Sequence, residues 1–217
     1  MNLDARLRDP QLLDAQLLDT QLLDPAAALG ALRDELDALD HAGRLDAVMG
    51  CGREALARLY ELAAHAPPLD EAHFVRDRGP LEPVAHDGWN SLPLPRASRR
   101  FQKVFARPEP GGAPRLFGYN EGDARKWIGP GYFQLVPTIG TPAWEPRGAW
   151  VVDYLRVPDG KVPEGWPKVV PNWWGPQVLV YDGTRDFMRR VSHHVSIGKP
   201  WGRLGSLPFC FALVRRD

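Results

Sequence analysis

The period of the apolar positions changes along the chain. Leu29, Leu32, Leu36 and Leu39 follow a 3-4-3 spacing, while Asp34, Glu35, Asp37 and Asp40 cover the other faces. That pattern predicts a helix with one apolar stripe. Asp24-Pro25 reads as its start, a carboxylate cap followed by proline at the first helical position. His41 and Gly43 read as its end. A second helix is predicted through EALARLYELAAH, with Leu56, Leu59, Tyr60 and Ala63 on one face and Pro67-Pro68 closing it. Gly50-Cys51-Gly52 breaks the chain between the two.

From residue 101 the period becomes two. FQKVFA, RLFGYN, YFQLVPT, AWVVDYLRV, QVLVYD and PFCFALV are aromatic or β-branched runs bounded by breakers such as Pro110-Gly111-Gly112 and Gly129-Pro130-Gly131. Such runs predict strands. GTRDFMRRVSHH, between the last two runs, is expected as a short helix capped by Thr184. Short strands without long intervening helices favour an antiparallel sheet. The predicted fold is therefore α+β: short N-terminal helices, then an antiparallel β-barrel or strongly curved sheet, with one short helix before the last strand.

The run DPQLLDAQLLDTQLLDP repeats every five residues. Five residues advance about 140° around a helix, so its leucines spread over the whole wheel instead of forming a stripe. Residues 1–24 are thus expected as an N-terminal extension, and deletion of residues 1–23 is expected to leave the fold intact. Residues 25–66 form the helical segment and 67–100, with Pro67, Pro68, Pro80, Pro83, Pro93 and Pro95, a proline-rich connector. Residues 101–217 make the β domain. All the tryptophans lie at or beyond Trp89, whereas Tyr60 is the one aromatic residue before position 67.

Composition narrows the function classes. The 27 basic and 27 acidic residues cancel, which argues against a nucleic-acid partner, since binding to phosphates needs a positive excess. Cys51 and Cys210 are two cysteines only and are expected as buried reduced thiols. No apolar run is long enough for a membrane span. No apolar leader opens the sequence, so a cytoplasmic location is expected. Arginine outnumbers lysine, which suggests a GC-rich bacterial genome.

No phosphate loop, dinucleotide fingerprint, nucleophile elbow or zinc signature occurs, and neither a cofactor nor a metal is expected. The weak catalytic candidates are Asp153, Glu121, His193 and His194. In AWVVDYLRV, Trp150, Val152 and Tyr154 share one face, and Val151, Asp153, Leu155 and Val157 the other. A carboxylate in an apolar row either pairs with a cation or has its pKa raised. Adjacent histidines cannot readily chelate one metal together. Tyr119, Arg125, Trp127, Trp150, Tyr154, Trp173 and Trp174 are candidate ligand contacts, as aromatics and one cation near turns. The basic runs RASRRFQK and RDFMRR read as solvated faces.

The pattern favours a non-catalytic module that binds a small apolar or amphipathic ligand inside the β part. A motif-less isomerase or hydrolase is the alternative, with Asp153 or Glu121 as base and a histidine as acid. A third reading is an interaction module or homodimer through the N-terminal helices.

Overall fold

The computed structural model describes residues 1–8 and 24–216, so the five-residue repeat lies outside the described residues. The helices are α1 (Leu3–Leu7), α2 (Pro25–Asp37), α3 (His41–Met49), α4 (Arg53–Leu62), α5 (Glu71–Val75) and α6 (Arg125–Ile128). Asp24 accepts a hydrogen bond from the Ala26 amide at 3.0 Å and starts α2. His41 and Gly43 do not end that helix. Asp40 accepts from the Gly43 amide at 2.8 Å and caps α3, so both residues open a new helix.

The strands are β1 (Val84–Asn90), β2 (Arg100–Ala106), β3 (Leu116–Glu121), β4 (Phe133–Pro137), β5 (Trp150–Asp153), β6 (Arg185–Arg190), β7 (Val195–Gly202), β8 (Gly205–Ser206) and β9 (Phe211–Arg215). Strands β1 to β7 pair as an antiparallel meander, and β9 inserts between β7 and β1. The result is a closed antiparallel barrel of eight strands, with β8 a short arm hairpinned onto β7. A closed sheet has no exposed edge to manage.

Three local expectations change. The connector 67–100 contains α5 and β1, because its prolines flank Val84–Asn90 without entering it. GTRDFMRRVSHH forms β6 and the turn after it, not a helix, since Asp186 and Met188 point into the lumen while Phe187 and Arg189 point out. QVLVYD contributes to a 3-10 turn, Gly175–Leu179, initiated by Gly175 at φ +71° and Pro176. The strand β7, for which no element is expected from sequence, also alternates, with Val195, Ile197 and Trp201 on the outer face and Gly198 facing the lumen.

The lumen is lined from β1 by Val84, His86 and Gly88 and from β2 by Phe101, Lys103 and Phe105. A column of rings runs along it. Phe74 meets Phe105 at 5.2 Å, Phe105 meets Phe133 at 5.6 Å, Phe133 meets Tyr154 at 5.6 Å, and Tyr154 stacks on Tyr181 at 5.0 Å. Phe74 and Val75 come from α5, which plugs one end of the barrel together with Leu69. Inward-facing glycines make room for the rings. A Cβ on Gly88 would lie 2.6 Å from the Phe101 ring, and one on Gly118 would meet both Phe133 and the Val104 carbonyl at 2.6 Å. Gly198 stands in the same relation to Phe211.

Outside the barrel, α3 and α4 pack on β1, β9 and β7 through Leu56, Leu59, Tyr60, Val48, Trp89, Val195, Ile197 and Val214, and α1 packs on α3 and α4. Leu32 and Leu36 of the α2 stripe join this cluster, so the stripe is covered by the chain's own residues. Cys51 and Cys210 are free and buried in it. Leu3 and Leu7 are also buried there, at 1% and 3% exposure. Residues 1–8 thus pack as part of the helical layer, through Leu3 and Leu7. Burying each leucine contributes roughly 1.5–3 kcal/mol.

Candidate functional site

In a meander, alternate connections fall at the same end. The β1–β2, β3–β4, β5–β6 and β7–β9 loops surround the end of the barrel opposite the α5 plug. Between them lies a cavity of about 730 Å³, a size suited to a small organic ligand. Its wall is mostly apolar, including Leu92, Ile128, Val180, Leu207 and Phe211, and α6 and the Gly175–Leu179 turn form part of its rim.

Polar groups converge on its floor. Lys103, at 2% exposure, donates to Asn120 Oδ1 at 2.9 Å, faces Asp186 Oδ2 at 3.2 Å, and donates to the Tyr154 hydroxyl. Asn120 is fixed in turn by donating to the Gly131 carbonyl at 3.0 Å. The ammonium also sits 5.0 Å from the ring centres of Tyr154 and Phe211 and 5.1 Å from that of Phe133, within cation–π range. Burial pushes the Lys103 pKa down, against the opposing pull of Asp186. Burial likewise pushes the Asp186 carboxyl up, against the pull of Lys103. Tyr154 is raised well above its ordinary value, first by burial and then by the Asp186 charge.

The floor is thus a hydrogen-bonded cluster with one charge of each sign. The three Lys103 protons are taken up by Asn120, Tyr154 and Asp186, so what the floor offers a ligand is the remaining acceptor capacity of the Asp186 carboxylate, which suits a hydroxyl that donates to it. A second free charge there would face an uncompensated desolvation cost.

Of the residues singled out from sequence, Arg125, Trp127 and Tyr154 line this cavity. Glu121 also lines it, at the rim, with Arg125 Nε 2.7 Å from its Oε1. Trp150 points into the lumen but lies deep, donating to the Leu69 carbonyl at 3.0 Å and packing on Phe74. Tyr119 is on the outer wall, against Tyr132 and Trp166. Trp173 and Trp174 are exposed on the β5–β6 loop.

Asp153 faces away from the lumen and is nonetheless fully buried. Arg185 Nε at 3.1 Å and Arg156 Nε at 3.5 Å neutralise it. His193 and His194 lie in the β6–β7 turn at the plugged end. Their amides donate to Asp37 and Ser192 respectively, and His194 Nδ1 meets Arg215 at 3.4 Å. Asp153, Glu121 and the histidine pair therefore do not share a site. No group of three His, Cys, Asp or Glu side chains able to hold a metal occurs among the described residues.

Sequence reasoning missed Lys103, Asn120 and Asp186. The signal for Lys103 was present: it alternates with Phe101 and Phe105 on one face, the same situation that drew notice to Asp153. The lysine was instead counted within a basic run. Asp186 was hidden by the helical reading of its segment. No protein-family model, no curated protein and no solved structure matches this chain.

Proposed function

We propose that the protein binds a small, partly apolar molecule in the open end of the barrel, as a binding module and not a catalyst. The observation that carries this reading is an apolar-walled cavity of about 730 Å³ with a single buried polar cluster, Lys103–Asp186–Tyr154–Asn120, on its floor. The apolar part of the ligand lies against Phe101, Leu207 and Phe211, and its hydroxyl head donates to the Asp186 carboxylate beside the Tyr154 hydroxyl. Hydrogen bonds within a site of this kind fix orientation, while the apolar wall supplies most of the affinity.

A thermal-shift screen of the whole chain against alcohols, ketones and lipids of suitable size tests it. A ligand of the folded state raises the melting temperature with concentration. The shift should shrink in Tyr154→Phe and disappear when Leu207→Trp fills the cavity. A screen without stabilising compounds, or hits that ignore the cavity-filling variant, would count against the proposal.

A further inference from the structure

The open end carries a second feature that ligand binding alone does not require. All the large apolar side chains left exposed among the described residues, except Met1 and Ile139, belong to the four loops around it. Trp127 is 83% exposed, Leu179 89% and Leu204 fully so, and Trp173 and Trp174, on the same loop as Leu179, are 69% and 62% exposed. These loops are tied to one another by specific bonds. Asn172 donates to the Tyr132 and Tyr154 carbonyls at 2.7 and 2.6 Å, which fixes the start of the Trp173–Trp174 segment. Gln177 accepts from the Gly131 amide at 3.2 Å and ties the following turn to the β3–β4 loop. Arg203 reaches Asp182 at 2.7 Å and leans the Leu204 hairpin on the same segment.

Exposed apolar side chains concentrated in one place mark an interaction surface, whereas scattered ones are ordinary. Their arrangement selects the partner. They form a discontinuous rim around an opening, so a rigid protein face seated on it would leave the cavity beneath unfilled. A fluid apolar phase would fill it.

The charges agree. The β1–β2 loop and the first residue of β2 carry Arg96, Arg99 and Arg100 at this end, Arg100 beside the cavity and Arg96 and Arg99 leaning over Trp89 on the outer wall, and residues 91–100 contain no carboxylate. Lys126 adjoins Trp127. The nearby carboxylates Glu121 and Asp182 are already held by Arg125 and Arg203, which leaves Asp123 as the exception. Tryptophan and leucine in the headgroup region, with cations beside them, is the chemistry of a protein lying on an anionic bilayer.

We propose that the open end of the barrel docks on an anionic lipid bilayer, with Trp127, Trp173, Trp174, Leu179 and Leu204 entering the headgroup–acyl boundary and the rim cations meeting lipid phosphates. The cavity mouth then opens directly onto the acyl region. This inference stands on the rim and not on the floor of the cavity, so either proposal can fail without the other.

The test is co-sedimentation of the full chain with vesicles of phosphatidylcholine alone and of phosphatidylcholine containing a quarter phosphatidylglycerol. The chain should pellet with the anionic vesicles, less so as salt is raised, and remain in the supernatant with the neutral ones. Trp173→Ser/Trp174→Ser/Leu204→Ser changes three exposed residues that do not line the cavity. It should keep the wild-type melting temperature and any ligand shift found for the cavity. It should lower partitioning onto anionic vesicles by at least about a hundredfold. Absence of pelleting, equal pelleting on both vesicles, or pelleting that the triple variant retains would each overturn the proposal. So would a concentration-dependent dimer, seen by sedimentation velocity, that the triple variant abolishes. That last result would assign the rim to a second copy of the chain.

Discussion

At the open end the lumen buries an ammonium and a carboxylate 3.2 Å apart, Lys103 and Asp186. At the plugged end it buries two imidazoles. His86 has one ring nitrogen 2.9 Å from the Phe74 carbonyl, and neither ring nitrogen of His73 has a hydrogen-bond partner. Burial lowers the pKa of both histidines, to about 3 for His86, and the nearby Arg215 charge lowers them further. Both regions thus reach neutrality, one by pairing opposite charges and the other by giving up protons. The difference teaches what each end is built for. A neutral imidazole among Phe74 and Phe105 packs as an aromatic and offers little to a ligand. A satisfied charge pair keeps strong donors and acceptors in place, and it lies where the lumen opens.

The sharpest way to break this comparison is to remove one member of the pair. Lys103→Met leaves the Asp186 carboxylate buried and alone, and should cost about 3–5 kcal/mol in urea denaturation. Lys103→Met/Asp186→Leu should recover most of that loss, because no uncompensated charge remains. If the single variant costs less than about 1 kcal/mol, the pair is not buried as described.

Between the two ends, Gly118→Ala should cost about 1–3 kcal/mol through overpacking. Phe133→Leu in the same chain should relieve part of it, and equal cost with or without that change would disconnect the two residues.

At the plugged end the expected signature is acid sensitivity. His73 and His86 are neutral in the fold and bind protons on unfolding below their ordinary pKa near 6.5. Stability is therefore complete above that pH and falls as pH drops, by roughly 1.4 kcal/mol per pH unit for each ring. For His86 the loss levels off near its folded pKa of about 3. Arg190, Arg215 and His194 face the same cluster and oppose protonation of His73. Denaturation curves between neutral and acid pH should show a shallower slope for His73→Leu, and an unchanged slope would mean that this ring is not the titrating group. The smallest effect belongs to the rim. Glu121→Gln disturbs a pair whose members are 32% and 33% exposed and should change stability by less than about 1 kcal/mol.

Much of the architecture was legible in the sequence. Alternation in AWVVDYLRV correctly placed Trp150, Val152 and Tyr154 on one face and Asp153 on the other. It could not say which face was the lumen. The barrel wall is covered on both sides, inside by the ring column and outside by the helices and the β5–β6 loop, so apolar residues occur in both rows. Asp153 and Lys103 therefore looked alike as charges in apolar rows, and only closure of the barrel separates the outer ion pair from the inner one. For the same reason β6 lost its alternation, since Phe187 is buried outside while Asp186 and Met188 are buried inside. The repeat drew attention away from Leu3 and Leu7, which precede it and are packed.

The three inward glycines have a consequence for descent. At Gly88, Gly118 and Gly198 the space of a side chain is already taken by Phe101, Phe133 and Phe211. At Gly88 a larger residue survives only if the Phe101 ring shrinks with it, whereas at Gly118 the Val104 carbonyl and at Gly198 the Met188 sulfur stand in the way as well. In any lineage that keeps this lumen, positions 88 and 101 should change together or not at all, position 198 only with both 211 and 188, and position 118 should stay glycine. Distant kin would then be recognisable by these three glycines and the rings they face, even after the polar floor had been rebuilt.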